Sequence, residues 1–234
     1  MKTARDRILA KLRAAPVQPP VEPDVAGYYA QHTPPTTLPD RLRQFSRMMR
    51  AVHTELHYTH AHGWPTLLAR IVRDKNIGSV LLAPRTPHGE RAVVALSQLD
   101  TAPQLLTFDQ PIEAWKDQLF NGVAAAFTGS RAGIADTGAL VLWPDAEEPR
   151  SMSLVPPIHL VLFEASRLYE NHYHAMTAEG WAQGLPTNSL LISGPSKTAD
   201  IQQTLAYGAH GPRELVVLVL LPDDLDPATL EVQP

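Results

Sequence analysis

Hydroxylated, small and cationic side chains follow an apolar run that ends at Ile192, and their types suit the binding of an anion. The segment 193–200 reads SGPSKTAD and opens a predicted helix at Ala199–Ala206. Backbone N–H groups at a helix start, together with hydroxyls and an ammonium, can hold a phosphate or a carboxylate. A P-loop is excluded, because Ser196 stands where that motif needs glycine. Plain capping of the helix by Ser196 or Thr198 is the alternative. The predicted ligand-binding residues here are Ser193, Gly194, Ser196, Lys197 and Thr198.

A second small, polar segment, 128–138, reads TGSRAGIADTG and lies between two strand-like runs. Its three glycines allow tight turns and the close approach of a ligand to the backbone. It has no Gly-x-Gly and is therefore not a dinucleotide fingerprint. Asp136 is a candidate base. The alternative is a glycine-containing hairpin in which Asp136 caps its own backbone. The predicted ligand-binding residues of this segment are Thr128, Gly129, Thr137 and Gly138.

A third segment, HGPRE at 210–214, leads into the last strand-like run. Arg213 is predicted to bind a carboxylate or phosphate through its two-pronged guanidinium group. His210 is a candidate acid or base near neutral pH. A turn with an Arg213–Glu214 pair at the sheet edge is the alternative. His159, at the start of an apolar run, is a second-rank site residue, because a single histidine there is more often a hydrogen-bonded structural residue.

Four histidines, His53, His57, His60 and His62, raise the question of a metal site. His53 and His57 are four residues apart and share one face of a predicted helix. Glu55, however, is not in the position that the His-Glu-x-x-His motif of zinc hydrolases requires. A third ligand would have to come from a distant part of the chain. The sequence therefore predicts no metal site.

Composition excludes several classes of protein. The chain has 234 residues, a formal charge of −4, a pI near 6.2 and no cysteine. The net charge argues against a general nucleic-acid binder. Without cysteine there is no thiol nucleophile, disulfide or Cys-ligated iron–sulfur cluster in this chain. Apolar runs stay well below the ~18 residues of a membrane span, and the N-terminal segment lacks the apolar core of a secretory signal. We therefore expect a cytoplasmic protein.

Strand-like apolar runs alternate with helical patterns after residue 72, which predicts an α/β fold with a mainly parallel sheet covered by helices on both faces. A long helical pattern from Leu38 to Leu56 precedes them. In such folds the loops beyond the carboxyl ends of the strands form the binding site. We therefore expect segments 128–138, 193–200 and 210–213 to converge at one edge. The predicted strands are Ser79–Ala83, Gln104–Phe108, Val123–Phe127, Ala139–Trp143, Ile158–Phe163, Ser189–Ile192 and Leu215–Leu221. The predicted later helices are Gly89–Gln98, Ile112–Gln118, Glu164–Tyr169, Thr177–Gln183 and Ala199–Ala206.

The chain is predicted to have three parts. Residues 1–37 form an N-terminal arm with a helix at Thr3–Ala14, followed by a proline-rich connector that is extended or irregular. Residues 38–222 form the α/β domain. Residues 223–234 form an acidic, surface-exposed tail. The apolar face of the arm suits packing on the body or contact with a second subunit in a homo-oligomer, and attachment to a membrane surface is the alternative.

Three segments, TGSRAGIADTGALVL (128–142), SLVPPIHLVLF (153–163) and ISGPSKTADIQQTLAYGAHGPRELVVLVL (192–220), closely resemble the lactate-utilisation domain family, in particular its lactate-utilisation protein C group. The resemblance implies a fold like that of glucosamine-6-phosphate deaminase, ribose-5-phosphate isomerase and the CoA transferases. It also implies a role in oxidising L-lactate to pyruvate together with iron–sulfur partner proteins. One position departs from the family, which commonly has an acidic residue where Arg131 stands. The acidic residue before Thr-Gly is kept as Asp136.

Two classes of function remain open at this stage. The first is a component of a lactate-oxidising system that binds a small anion or a partner, with no cofactor in this chain and the iron–sulfur clusters in its partners. The second is a free-standing enzyme acting on a sugar phosphate or a CoA thioester, with Asp136 and His210 as catalytic candidates. Fold analogy alone is a weak argument for the second. A ligand-sensing domain is a third, simpler alternative.

Overall fold

The computed structural model describes residues 3–15, 21–33, 36–199, 205–208 and 210–230. The chain divides into two compact units, residues 1–34 and 35–234. No helix within the described residues is long and apolar enough to cross a membrane. The helices are α1 (Ala4–Ala14), α2 (Val25–His32), α3 (Leu38–Ala51), α4 (Trp64–Asp74), α5 (Pro87–Ser97), α6 (Ile112–Asn121), α7 (Arg150–Leu154) and α8 (His172–Ala178). The strands are β1 (Glu55–Thr59), β2 (Ser79–Leu81), β3 (Gln104–Leu106), β4 (Ala125–Gly129), β5 (Ala132–Ile134), β6 (Ala139–Leu142), β7 (Ile158–Glu164), β8 (Leu168–Tyr169), β9 (Leu190–Ile192), β10 (Lys197–Ala199), β11 (Leu205–Tyr207) and β12 (Glu214–Leu220).

The first unit contains α1 and α2, and neither helix has a buried residue. Thr3 begins α1 with a reciprocal capping box, because its hydroxyl accepts from the Asp6 N–H while the Asp6 carboxylate accepts from the Thr3 N–H. The predicted helix at Thr3–Ala14 is confirmed. The prediction that the whole connector is extended is wrong, because it contains α2. The segment Val25–His32 carries no proline, and the Asp24 carboxylate caps its first turn by accepting from the Gly27 N–H at 2.8 Å.

The second unit is built on six parallel strands in the order β1-β12-β7-β4-β2-β3. Alternate residues of the central strands point to opposite faces, and both faces are buried. On one face Phe127 and Leu160 pack with Trp64 and Leu68 of α4 and with α5. The other face is covered by α3, α6 and α7, and the Phe45 ring of α3 packs at a tilt against the Phe163 ring of β7, with the ring centres 5.4 Å apart. The predicted mainly parallel sheet with helices on both faces is confirmed.

A smaller mixed sheet, in the order β8-β5-β6-β9, lies after the fourth parallel strand in the sequence. Strands β5 and β6 form an antiparallel hairpin, and β9 pairs antiparallel with β6. The predicted helix at Glu164–Tyr169 is wrong, because this segment ends β7, makes a 3-10 turn and then pairs with β5 as β8. Pairing across the chain overrides its local helix propensity.

The end of the long predicted helix also differs from the structure. Helix α3 stops at Ala51, His53 takes a left-handed conformation at φ 67°, and Glu55–Thr59 becomes β1, paired in parallel with β12. Leu56 lies four residues after Val52 and so continues the helical spacing, but in the structure Leu56 and Tyr58 alternate along this strand and pack on the core. His53 and His57 therefore do not share a helix face.

Candidate functional site

The three predicted loops do not converge at one edge, and that expectation is wrong. Residue pairing places Gly129 level with Leu162 at the carboxyl end of the parallel sheet. Arg213 lies at the opposite end, where its N–H donates to the Pro157 carbonyl at 2.8 Å, just before β7 begins. The two levels, at Pro157 and Leu162, are five residue positions apart along the strand, a distance of roughly 16 Å. The physical reason is strand direction, because segment 210–213 enters β12 rather than leaving a parallel strand.

Segments 193–197 and 210–213 do lie together. The Ser196 N–H donates to the Pro212 carbonyl at 2.8 Å, and the Ser196 hydroxyl accepts from the His210 N–H at 3.3 Å. The segment opens strand β10, which pairs with β11, so the predicted helix at Ala199–Ala206 is wrong over its described residues. Residues 200–204 lie outside the described part of the chain. Lys197 is exposed. An anion site on this side stays a prediction, without the helix start on which it was based.

Asp136, Thr137 and Gly138 form the turn between β5 and β6. The Asp136 N–H donates to the Glu170 carbonyl at 3.0 Å, and its side chain is exposed. Gly138 has a φ of 58°, and a side chain there would meet Met48 of α3. The backbone of segment 128–138 therefore contains the glycine-containing hairpin that was the alternative to a ligand-binding loop. The turn is at the far end of the hairpin from Thr128 and Gly129, so a catalytic role for Asp136 stays a prediction.

A cleft of about 570 Å³ opens at the carboxyl ends of β4, β7 and β12. This is the edge at which ligands bind in open α/β sheets, and the volume is ordinary for a small-molecule site. Two of the predicted ligand-binding residues, Thr128 and Gly129, line it. The charged or titratable side chains of its wall come from segment 128–138 and from several others. They are His88, Arg91, Arg131, Asp145, Glu148 and Glu164.

Arg131 is held on two sides within this cleft. Its guanidinium carbon lies 4.4 Å from the centre of the Trp143 ring, and its Nε donates to a Glu179 carboxylate oxygen at 2.7 Å. The two terminal Nη groups have no hydrogen-bond partner among the residues that the structure describes. They are therefore available to bind a carboxylate from the cleft. Arg91 is placed similarly, 4.8 Å over Trp64, and donates to the Ala61 carbonyl.

Glu179 is the buried anchor of Arg131. Its side chain is 3% exposed, accepts hydrogen bonds from Arg131 and from the Tyr169 hydroxyl at 2.7 Å, and forms an ion pair with Arg167 at 3.2 Å. Burial, together with this hydrogen bond to Glu179, raises the pKa of Tyr169 to about 12, so the phenol keeps its proton. These contacts hold the Glu179 side chain in place, and it in turn fixes the position of the Arg131 guanidinium.

His88 and Glu148 form a hydrogen-bonded pair on another wall of the cleft. The Glu148 carboxylate accepts from the Gly129 N–H at 3.1 Å through both oxygens and lies 2.5 Å from His88 Nε2. Asp145 shapes the loop that presents Glu148, because its carboxylate accepts from the N–H groups of residues 147 and 148 at 2.8 Å each. An imidazole oriented by a carboxylate is a frequent acid–base arrangement.

Thr128 and His159 meet beneath the cleft. Thr128 Oγ1 lies 2.9 Å from His159 Nε2, and both residues are buried. They come from neighbouring strands, since His159 of β7 pairs with Ala126, two residues before Thr128 on the same face of β4. Burial lowers the pKa of His159 to about 3, so its ring is neutral at pH 7.

The sequence predicted none of the six charged or titratable residues of the cleft as site residues. They are His88, Arg91, Arg131, Asp145, Glu148 and Glu164. One local signal was available, because the segment PDAEEP at 144–149 places three carboxylates between prolines directly after a buried strand.

The four histidines considered as metal ligands form no metal site with other side chains in the described part of the chain. Within the residues that the structure describes, no group of three or more His, Cys, Asp or Glu side chains is arranged to hold a metal ion.

Comparison with known proteins finds a matching family model and several proteins of similar sequence. A family model described as LUD domain matches residues 42–220. An uncharacterized protein of Neisseria meningitidis is 43% identical over 231 residues, covering 98% of each chain. Lactate utilization protein C of Bacillus subtilis is 28% identical over 69% of this chain and 70% of its own length. Lactate utilization protein C of Shouchella clausii is 32% identical, but that match spans only 40% of this chain and 42% of that protein.

A solved structure has a fold similar to that of this chain. The crystal structure of a DUF162 family protein from Deinococcus radiodurans matches with a TM-score of 0.57 at 21% sequence identity. The match covers 80% of this chain and 99% of that one.

Proposed function

The chain belongs to the LUD domain family, and from this premise we propose that it is a component of an L-lactate utilisation system that binds a small carboxylate in its cleft. The similarity to relatives named lactate utilization protein C supports a role in lactate utilisation. One observation supports the ligand class: Arg131 lines the cleft, its guanidinium lies over Trp143 and is fixed by buried Glu179, and its two Nη groups have no hydrogen-bond partner among the described residues. A planar guanidinium with two free nitrogens matches the two oxygens of a carboxylate.

The second element of the proposal is proton transfer. Oxidation of L-lactate to pyruvate removes two electrons and two protons, and one of these protons leaves the hydroxyl oxygen. The His88–Glu148 pair lines the same cleft as Arg131. With its Nε2 hydrogen-bonded to Glu148 at 2.5 Å, His88 is the group that we propose takes or returns this proton.

The electrons go to a partner in this proposal. The chain has no cysteine and therefore no ligands for a Cys-ligated cluster. We place the iron–sulfur clusters in separate partner proteins that accept the electrons, with this chain supplying the binding of the small anion.

A second candidate function is supported by the size of the cleft. At about 570 Å³ it is larger than a three-carbon acid needs, and it contains two arginines, each stacked on a tryptophan. A sugar phosphate or a CoA thioester would use this volume more fully. On this alternative the chain is a free-standing enzyme, and Arg91 and Arg131 hold phosphate oxygens instead of a carboxylate.

Deletion of the gene separates the two candidates. We expect the deletion strain to lose growth on L-lactate as sole carbon source and to keep growth on pyruvate, because only the step before pyruvate is impaired. Reintroduction of the wild-type gene should restore growth on L-lactate. Normal growth of the deletion strain on L-lactate contradicts the proposal. A growth defect confined to a sugar or a fatty acid supports the second candidate.

A further inference from the structure

The hydroxyl side chains that line the cleft differ in their hydrogen-bond partners. Among the described residues they are Thr128, Ser130 and Ser153. The Ser130 hydroxyl donates to the Ala132 carbonyl at 2.9 Å, and the Ser153 hydroxyl donates to the Arg150 carbonyl at 3.0 Å. Each hydroxyl has one proton, so neither serine has a proton left for a ligand. Thr128 differs, because its hydroxyl meets the imidazole of His159 and no carbonyl contact is recorded for it among the described residues.

The proton on His159 decides what the Thr128 hydroxyl can do. The His159 ring is 0% exposed, and its Nδ1 has no hydrogen-bond partner among the described residues. A proton on Nδ1 would create a buried N–H group without an acceptor, and leaving a buried donor unpaired costs free energy. A bare ring nitrogen is the less costly state. The proton of the neutral ring therefore belongs on Nε2, from which it is donated to Thr128 Oγ1 at 2.9 Å.

With its lone pair engaged by His159, Thr128 can donate its own hydroxyl proton into the cleft. Thr128 and Arg131 line the same cleft, and only Gly129 and Ser130 separate them in the chain, so one ligand in the cleft can contact both donors. We infer that Thr128, oriented by His159 as a positioning residue, donates a hydrogen bond to an oxygen on the carbon next to the ligand carboxylate. The inference rests on the proposed function and narrows its ligand to 2-hydroxy and 2-oxo acids.

The test compares two acids that differ only in that oxygen. Calorimetric titration of the purified chain with L-lactate and with propionate gives the ratio of the two affinities. We expect the wild-type chain to prefer L-lactate, and Thr128→Val to reduce the affinity for L-lactate by about tenfold while that for propionate stays the same. Thr128→Ser should keep the preference, because it keeps the hydroxyl.

Two further measurements separate this role from a structural one. Ser130→Ala removes a cleft hydroxyl whose proton is already donated, so it should leave the ratio of affinities unchanged. The ¹⁵N chemical shifts of the His159 ring should show a protonated Nε2 and a bare Nδ1. The inference is overturned if Thr128→Val keeps the preference for L-lactate, or if the shifts place the proton on Nδ1. If L-lactate still binds, either of these outcomes overturns the role of Thr128 and leaves the proposed function intact. If the wild-type chain binds neither L-lactate nor propionate, the role of Thr128 and the proposed function are both overturned.

Discussion

Arg131→Met is expected to lower the affinity of the purified chain for L-lactate and pyruvate by about thirtyfold. Arg131 lines the cleft, and its two Nη groups have no hydrogen-bond partner in the described part of the chain. A charged hydrogen-bonded contact to a carboxylate contributes about 2 kcal/mol. Methionine keeps an unbranched side chain that can lie on Trp143. Glu179 keeps Arg167 and Tyr169 as partners after the change. The variant should therefore fold, and calorimetric titration will measure the loss of affinity.

The matched control for this change is Arg73→Met. Arg73 is an exposed residue of α4, it pairs with its neighbour Asp74 at 2.9 Å, and it is not among the residues that line the cleft. Its loss removes the same charge from the protein as a whole and should leave both affinities unchanged. Equal affinities for the Arg131→Met variant and the wild-type chain would show that the carboxylate binds elsewhere.

The stability of the fold is expected to fall by about 1.4 kcal/mol per pH unit as the pH drops from 6.5 toward 3, on account of His159 alone. Burial lowers the pKa of His159 from 6.5 to about 3 in the folded chain. In the unfolded chain the ring takes up a proton below pH 6.5, whereas in the folded chain it stays neutral. Protons therefore favour the unfolded state over this whole range, with a total effect of about 4 kcal/mol.

Urea unfolding between pH 3.5 and 8 measures this dependence. The His159→Gln variant has no titrating group at this position, so its free energy of unfolding should change less steeply with pH than that of the wild-type chain. His62→Gln, at an exposed position, is the control and should behave as wild type. Carboxylates with lowered pKa values, such as Glu170, contribute equally to all three proteins. Parallel pH profiles for His159→Gln and wild type would show that the ring is protonated in the folded chain.

The parallel sheet could be predicted because its strands are short, apolar throughout and separated by helical patterns. Strand β1 could not be predicted in the same way. Its apolar residue Leu56 continues the spacing of Phe45 and Met49, and the residue that ends the helix is His53 with a positive φ rather than a glycine or a proline. The pairing that stabilises β1 comes from β12, about 160 residues later in the chain.

The only cleft residues that could be predicted as ligand-binding residues, among those that the structure describes, lie at the end of one strand. Thr128 and Gly129 end β4, and their position at the carboxyl edge follows from strand direction alone. The partners of Arg131 and His88 lie 48 and 60 residues away, so local spacing carries no sign of either contact. The segment after β9 was placed at the wrong edge, because β9 belongs to the small mixed sheet rather than to the parallel one.

Growth of the deletion strain on L-lactate, with variant genes supplied in trans, tests the location of the ligand site most directly. Sequence reasoning alone favours Lys197, whereas the structure favours Arg131 in the cleft. The account predicts that a gene carrying Lys197→Ala restores growth and that one carrying Arg131→Met does not, with both proteins present at wild-type levels. Growth with Arg131→Met and none with Lys197→Ala would contradict the account and place the ligand on the side of residues 193–197.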